Sequence, residues 1–433
     1  MTTSEPTTGT DPAVALPLLE LRDGLPDVID APDALAETAE RFRTGTGPVA
    51  VDAERASGYR YSHRAYLVQL RRAGAGSALV DPIPFADLAV LGAAIADAEW
   101  VIHAANQDLA CLAEVGMVPA RIFDTELAGR LLGYPKVGLA ALVSDVLGYR
   151  MRKEHSAADW STRPLPSPWL VYAALDVEML VELRDAIEAE LHRTGKWEWA
   201  QQEFAAVLAA PPREPRPDPW RRTSGMHRVR NRRGLAVVRA LWQARDQLAA
   251  EADISPGRIL GDAAIIEAAA AMPTDRDTLG KLPAFKGRGA QRHQRTWWEA
   301  IEHARRLPES QLPRQGARYD GPPPARAWAD RDPAAAARLS ATRAAVGEIA
   351  EQHRLPTENL LSPDTVRRLA WTPPGRIDAA VVADVLRQHG AREWQVGLTA
   401  AALADALTAD GAARATPAAQ QAVSPDGSDL DAG

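Results

Sequence analysis

A short apolar segment that ends on two acidic residues constrains this chain more than any other feature. Residues 47–54 read GPVAVDAE, and Val49 and Val51 occupy alternate positions, as one face of a buried β-strand does. Asp52 and Glu54 are two residues apart, so both carboxylates lie on one face of that strand. Neighbouring carboxylates repel each other, and a hard divalent cation with oxygen ligands is a suitable counter-charge. The segment therefore indicates either a metal site or the solvated end of a strand.

The rest of the first half predicts a mixed α/β domain. Strands are predicted over 65–71, 77–82 and 100–105, a strand followed by a helix over 122–132, and helices over 33–42, 85–98, 138–147 and 167–192. The acidic strand over 47–54 and the strands over 65–71 and 77–82 are expected to form an antiparallel meander. Asp108 falls where a strand passes into a helix that ends at Gly116. Ser167 is the expected N-cap of the helix over 167–192, which carries Tyr172 and Asp176 one turn apart.

Only helices are predicted in the second half. They cover 232–252, 256–271, 278–282, 291–306, 333–353, 362–369, 377–389 and 391–407. The two groups of helices have a similar order, and each contains a helix–proline–helix step, at Pro256 and Pro356, which indicates a diverged internal repeat. The predicted organisation is a flexible tail (1–15), an α/β domain (16–208), a proline-rich linker (209–219), a helical domain (220–308), a second linker (309–331), a second helical domain (332–407) and a disordered tail (408–433).

Charge is distributed unevenly along the chain. Residues 212–314 hold 20 Lys and Arg against 12 Asp and Glu, a local charge of +8, whereas the whole chain carries −7 and the remainder therefore −15. A basic module beside an acidic one fits a protein that holds a polyanion with one part and cuts it with another. The single cysteine, Cys111, excludes a disulfide framework and favours a reducing cytoplasm. No secretory signal and no apolar run of membrane-spanning length is recognised, so we expect no membrane association.

The acids form the pattern D-x-E, then D, then Y-x-x-x-D, over Asp52, Glu54, Asp108, Tyr172 and Asp176. Four carboxylates can hold two cations about 4 Å apart, the arrangement used for in-line attack on phosphodiesters. The Tyr172 hydroxyl would orient the attacking water, and accepting its proton would require help from the metal. Each motif alone is weak, because a Tyr four residues before an Asp on a helix is usually core packing beside a solvated acid. Their order, spacing and placement on strands and helices are much stronger.

Several segments resemble the ribonuclease D family, a subgroup of the four-acid 3′–5′ exonucleases with a tyrosine in the third motif. The resemblance covers about residues 20–205 and is carried by VAVDAE, VIHAANQDLACL, FDTELAGRLLG, KEHSAADWSTRPL and YAALDVEML, which begin at residues 49, 101, 123, 153 and 172. It implies a ribonuclease H-like fold with a mixed sheet, two Mg²⁺ or Mn²⁺ ions, and Asp52, Glu54, Asp108 and Asp176 as their ligands. It also implies removal of nucleotides one at a time from the 3′ ends of tRNA precursors and other small structured RNAs, with release of 5′-monophosphates. The chain has Ala53 where the family usually has Thr.

The resemblance extends into the helical half. Residues 220–308 are similar to the helicase-and-ribonuclease-D C-terminal (HRDC) domain, a nucleic-acid binder, and residues 332–407 are similar to a more diverged second copy. In the first copy, Lys286, Arg288 and Arg292 surround a glycine-rich turn before a helix, which suits phosphate binding. A second basic cluster contains Arg228, Arg230, Arg232 and Arg233, with a solvated basic face as the alternative.

Two further substrate contacts are predicted close to the acids, and other activities stay open. His103 would contact substrate or serve as a hydrogen-bonded core histidine; Lys153 would meet a phosphate; Trp160 would pack; and Asp124 would cap a helix. A helicase is disfavoured because the chain lacks a G-x-x-x-x-G-K-[ST] phosphate loop. A 3′–5′ DNA exonuclease and a non-catalytic RNA-binding adaptor remain alternatives to a monomeric exoribonuclease.

Overall fold

The computed structural model describes residues 16–152, 157–212, 214, 216–316 and 321–408. Apart from Thr408, the two predicted tails lie outside these residues, as does Lys153. The described residues form two compact units: 16–54, 67–152 and 164–197 belong to the first, and 55–66, 157–163 and the described residues from 198 to 408 to the second. Within the described ranges, no helix combines the length and apolar character that a membrane-spanning segment needs.

The first unit is built on a mixed sheet. Its strands are β1 Val28–Ile29, β2 Thr46–Arg55, β3 Ala65–Ala73, β4 Gly76–Val80, β5 Glu99–Ile102 and β6 Arg121–Asp124. They are arranged in the order β1-β4-β3-β2-β5-β6. β3 and β4 are antiparallel, whereas β1 pairs with β4, β2 with β5 and β5 with β6 in parallel. The mixed α/β prediction is therefore confirmed, and the three strands expected to form a meander are neighbours in the sheet.

The register of the parallel strands determines which residues meet at one edge of the sheet. Ala50 of β2 aligns with Val101 of β5, and both side chains are fully buried. Because the carboxyl ends of parallel strands lie side by side, Asp52 lies beside the chain that leaves β5 and continues to Asp108. The sheet thus brings two of the predicted motifs to one edge.

The α-helices in the described part of the first half correct two predicted boundaries. They are α1 Pro32–Thr44, α2 Ala89–Ala94, α3 Leu109–Glu114, α4 Thr125–Leu132, α5 Leu139–Leu142, α6 Ser167–Glu178, α7 Leu180–Arg193 and α8 Trp197–Ala209. The helix predicted over 85–98 is reduced to α2, since the flanking residues form turns. The helix predicted over 167–192 is two helices, and Pro166 rather than Ser167 occupies the N-cap position.

The break between α6 and α7 lies at Met179, whose φ of −116° and ψ of 12° leave the helical region. Arg22 contacts both the backbone and the side chain of Glu178, the residue before Met179. Its Nη2 donates to the Glu178 carbonyl oxygen at 2.5 Å, and its Nε donates to the buried Glu178 carboxylate at 2.6 Å. Arg71 of β3 makes a second ion pair with the same carboxylate at 3.4 Å. The guanidinium of Arg22 therefore takes the place of the next helical hydrogen bond to the Glu178 carbonyl. Helical periodicity in the sequence does not reveal this contact.

The described part of the second half contains helices and no strand, as predicted. The first helical module comprises α9 Arg232–Ala252, α10 Pro256–Ile259, α11 Asp262–Ala271, α12 Arg276–Lys281, α13 Arg288–Arg292 and α14 Gln294–Arg306. The second comprises α15 Trp328–Arg331, α16 Pro333–Gln352, α17 Thr357–Leu360, α18 Pro363–Trp371, α19 Ala379–Gln388 and α20 Glu393–Leu407. The helices predicted over 256–271 and 291–306 are each divided in two, at Leu260 and His293.

The two modules repeat one order of elements. Each contains a long helix, α9 or α16, and within two residues of its end a residue with left-handed backbone, Asp253 (φ 47°) or Arg354 (φ 52°). A one-turn helix and a longer helix come next in both. In the first module, Trp297 and Ile301 of α14 are fully buried and α14 packs on α9. The shared order supports the predicted internal repeat.

Candidate active site

Three carboxylates from two elements form one cluster in the first unit. Asp52 and Glu54 project from β2, and Asp176 from α6; each offers an oxygen within 4.8 Å of the oxygens of the other two. All three residues are half-buried. At this separation each pair of negative charges repels by about 3 kcal/mol in a medium of effective dielectric about 20. A bound cation would therefore stabilise this cluster of carboxylates.

Burial and the nearby negative charges raise the pKa values of two groups in this cluster. The pKa of Asp176 is raised well above its usual value because the carboxyl is buried and faces Asp52, and a hydrogen bond with Tyr172 opposes this rise. Burial also raises the pKa of the Tyr172 hydroxyl, and the charges of Asp176, Glu54 and Asp52 raise it further. Tyr172 is consequently a neutral hydrogen-bond donor at ordinary pH. An oxygen-only donor set of this kind fits a hard divalent cation.

Asp108 occupies the predicted junction but is not a member of the three-carboxylate cluster. It is the residue before α3 and is only 5% exposed. The chain reaches it from β5 through Ala104, whose φ of 60° is left-handed, and a short 3₁₀ turn over Ala105–Gln107. This turn, rather than a regular strand, brings Asp108 to its position.

Asp124 fixes that turn, and the sequence shows only half of its role. As predicted, its carboxylate caps a helix, accepting hydrogen bonds from the Glu126 and Leu127 amides at 3.0 and 3.1 Å. The same carboxylate also accepts from the amides of Ala104 at 3.1 Å and Ala105 at 2.9 Å. One buried side chain thus joins the start of α4 to the segment that leads to Asp108. The only signal in the sequence is the FDT segment at 123–125.

His103 is held within the first unit. Its Nδ1 lies 3.0 Å from the Thr125 hydroxyl, and burial lowers the pKa of the imidazole to about 4. A neutral, hydrogen-bonded ring supports the core-histidine alternative more than a phosphate contact. Trp160 is fully buried, which confirms its predicted packing role.

The predicted basic residues of the first helical module separate into two kinds. Lys286, Arg288 and Arg292 are exposed and available to a ligand. Arg232 and Arg233 instead donate to backbone carbonyls at the end of the module, including those of Leu312 at 2.8 Å and Arg305 at 3.1 Å. The first three belong to the second unit and are not part of the acid cluster.

The mixed sheet and its carboxylate cluster lie in a region that matches a known enzyme family. Residues 26–192 match the family model described as 3′–5′ exonuclease. Residues 234–301 match the HRDC domain, and residues 321–407 match a 3′ to 5′ exonuclease C-terminal domain.

Similarity to curated and solved proteins extends over most of the chain. Ribonuclease D of Gluconacetobacter diazotrophicus is 34% identical over 362 residues, which cover 81% of this chain and 88% of that protein. A crystal structure of a protein from Bifidobacterium adolescentis shares 41% identity and a TM-score of 0.84, covering 90% of this chain and 99% of the other. Escherichia coli RNase D, described as an exoribonuclease involved in structured RNA processing, shares 25% identity and a TM-score of 0.63, covering 84% and 99%.

The chain belongs to the ribonuclease D family. It is a 3′–5′ exoribonuclease. Its exonuclease domain, of mixed α/β fold, precedes HRDC-type helices.

Proposed function

We propose that this chain trims the 3′ ends of tRNA precursors and other small structured RNAs by a two-metal-ion mechanism that releases 5′-monophosphates. The observation that carries the proposal is the cluster of Asp52, Glu54 and Asp176, whose oxygens lie within 4.8 Å of one another. The description of Escherichia coli RNase D as acting in structured RNA processing supports the substrate class.

The ligands of the cations are assigned from the chemistry of the cluster. Asp52, Glu54 and Asp176 would hold one ion, and Asp108, which approaches from the adjacent strand end, would hold the second with help from the cluster. Mg²⁺ and Mn²⁺ both suit such carboxylate ligands. When bound, the cations lower the pKa of a water molecule and stabilise the negative charge that develops on the phosphate and the leaving 3′-oxygen.

Tyr172 completes the site as an orienting group. Its raised pKa keeps the hydroxyl protonated, and it is hydrogen-bonded to Asp176. A protonated hydroxyl in this position donates a hydrogen bond and can orient a water molecule, whereas it is a poor acceptor of that water's proton. We therefore propose that Tyr172 orients the attacking water and does not accept its proton.

Basic residues away from the cluster would retain the RNA. Exposed Lys286, Arg288 and Arg292 offer charge for the phosphate backbone, and Lys153 is proposed as a contact near the reacting end. For His103 we propose the core role rather than a substrate contact. The enzyme is proposed to act as a monomer in the cytoplasm, where the buried Cys111 would stay reduced.

The proposal is tested with a 3′-extended tRNA and a single-stranded DNA of matched length, incubated with Mn²⁺, with Mg²⁺ or with chelator. Asp176→Asn and Asp52→Ala should lower RNA shortening by more than about 100-fold, the upper loss typical of groups one step removed from a metal, while RNA affinity stays near that of the unmodified chain. Asp33→Asn, which removes an exposed acid from the same unit, is the control and should retain full activity.

The outcomes distinguish the alternatives. Metal-dependent shortening of RNA by single nucleotides supports the proposal, whereas preference for DNA identifies a DNA exonuclease. RNA binding without cleavage identifies an adaptor. Near-normal turnover in either cluster variant would refute the ligand assignment.

A further inference from the structure

A loop that starts directly after the acidic strand is attached to the first helical module. Glu54 is followed by Arg55, the last residue of β2, and the chain returns at Ala65 to begin β3. We call residues 56–64 the strand-exit loop. It is closed internally by hydrogen bonds from the Tyr59 and Arg60 amides to the Ala56 carbonyl, both 3.0 Å long. Residues 55–66 belong to the same compact unit as the helical modules.

Asp253, at the end of α9, holds the middle of this loop. Its Oδ1 accepts hydrogen bonds from the Tyr61 amide at 3.2 Å and the Ser62 amide at 2.9 Å. Its Oδ2 accepts from the Tyr66 hydroxyl at 3.3 Å, at the start of β3. Asp253 itself has left-handed backbone, with φ and ψ both 47°, so the helix end directs this short side chain outward. Aspartate tolerates that conformation better than most residues do.

Neighbouring groups of the module hold the first part of the loop. The Ser255 amide donates to the Tyr59 carbonyl at 2.9 Å. Arg258 donates from Nε to the Gly58 carbonyl at 2.8 Å, and its guanidinium lies 4.1 Å from the centre of the Tyr59 ring. Residues at the start of α10 therefore bind the carbonyls of Gly58 and Tyr59 and contact the Tyr59 ring.

The other side of the loop contacts the segment 157–163. Arg60 donates from Nε to the Ser161 hydroxyl at 2.8 Å, and Arg163 donates from Nη2 to the Tyr66 carbonyl at 2.7 Å. The loop is thus held between two segments of one unit, while its N-terminal end is covalently connected to Glu54 through Arg55. Fixing the loop limits the movement available to the end of β2.

We propose that the first helical module positions the catalytic strand through the strand-exit loop, with Asp253 as the principal positioning residue. The proposal rests on the proposed function, because it assigns the module an effect on the chemical step besides RNA retention. Misplacing a ligand by about 1 Å can cost up to about 100-fold in rate, so a loosened loop should lower turnover even when RNA is fully bound. Asp253 touches neither the acids nor the substrate in this scheme.

The test compares full-length variants at saturating RNA and Mn²⁺. Asp253→Ala should lower the single-turnover rate about tenfold or more, while the RNA dissociation constant changes by less than about twofold. Asp253→Asn keeps Oδ1 for both amides and should restore most of the rate. Asp275→Ala is the matched control, because Asp275 also caps a helix of this module, at 2.7 Å from the Thr278 amide, and hydrogen-bonds Thr274 and Thr278 at its own helix start. It should leave the rate unchanged.

Amide hydrogen exchange supplies a readout that does not depend on activity. Exchange at Tyr61 and Ser62 should be faster in Asp253→Ala and unchanged in Asp275→Ala. A normal rate in Asp253→Ala, a loss confined to RNA affinity, or an equal loss in Asp275→Ala would overturn the proposal, as would unaltered exchange. If the unmodified chain fails to shorten RNA in the presence of metal, the proposed function fails, and the exchange comparison alone decides whether Asp253 holds the loop.

Discussion

Replacement of Asp124 by asparagine tests how the chain between β5 and Asp108 is held. Oδ1 of Asp124 accepts from Ala104, Glu126 and Leu127, whereas Oδ2 accepts from Ala105 alone. An asparagine that keeps Oδ1 in place presents an NH₂ group to the Ala105 amide, so two donors face each other. Ala105 is fully buried, and its hydrogen bond to Asp124 is buried with it.

The expected loss follows from this single unsatisfied donor. Leaving a buried amide without a partner costs about 1–3 kcal/mol, so Asp124→Asn should lower the free energy of unfolding by about 2 kcal/mol. Asp124→Ala removes all four acceptor contacts and should cost about 4 kcal/mol, from two buried amides and a lost helix cap. Urea unfolding followed by circular dichroism measures both.

Asp87→Asn is the matched control in the same unit. Asp87 is exposed and accepts a single amide hydrogen bond, from Ala89 at 3.0 Å, which asparagine can also accept. Its unfolding free energy should change by less than about 0.5 kcal/mol. A change of that size or smaller in Asp124→Asn would show that the Ala105 contact is not needed. Exchange at the Ala105 amide should be accelerated in the Asp124 variant alone, and a protected amide would contradict the geometry.

Two further predictions concern the side chains around the cluster. Tyr172→Phe removes the donor to Asp176 and should lower the single-turnover rate by about 10–100-fold with little change in metal affinity; an unchanged rate would remove Tyr172 from the mechanism. His103 has a folded pKa of about 4 against about 6.5 when unfolded, so the unfolded state binds more protons between these values and stability falls on acidification. The unmodified chain should therefore lose about 2 kcal/mol more than His103→Gln between about pH 7.5 and pH 5 in urea unfolding, and equal losses would refute a neutral buried imidazole.

Local patterns in the sequence predicted the elements that carry the acids. Alternating Val49 and Val51 indicated a buried strand, and the structure has β2 over Thr46–Arg55. Asp124 was identified as a helix cap because a short acceptor before a helical pattern satisfies amides within the next turn. The division into an α/β part and two helical modules also follows from changes in periodicity. These features depend on residues close together in the chain.

Features that depend on distant partners were not predicted. The division of the helix over 167–192 at Met179 accompanies the contact of Arg22 with Glu178, which are 156 residues apart. Arg232 and Arg233 resemble the exposed basic residues of the same module in sequence, but carbonyls about 70 to 80 residues further along the chain accept their hydrogen bonds. Residue type predicts hydrogen-bonding capacity, whereas the fold decides which partner uses it.

The sequence by itself determined the kind of chemistry, because the donor types and their spacing on a strand and a helix specify an acidic site with a neighbouring tyrosine. Only the tertiary structure decided that Asp52, Glu54 and Asp176 converge within 4.8 Å while Asp108 is brought in separately by a turn that Asp124 holds. It also decided that a helical module contacts the loop after Glu54. Spacing along one element is set by backbone geometry, but the meeting of separate elements is set by burial and hydrogen bonding across the whole fold.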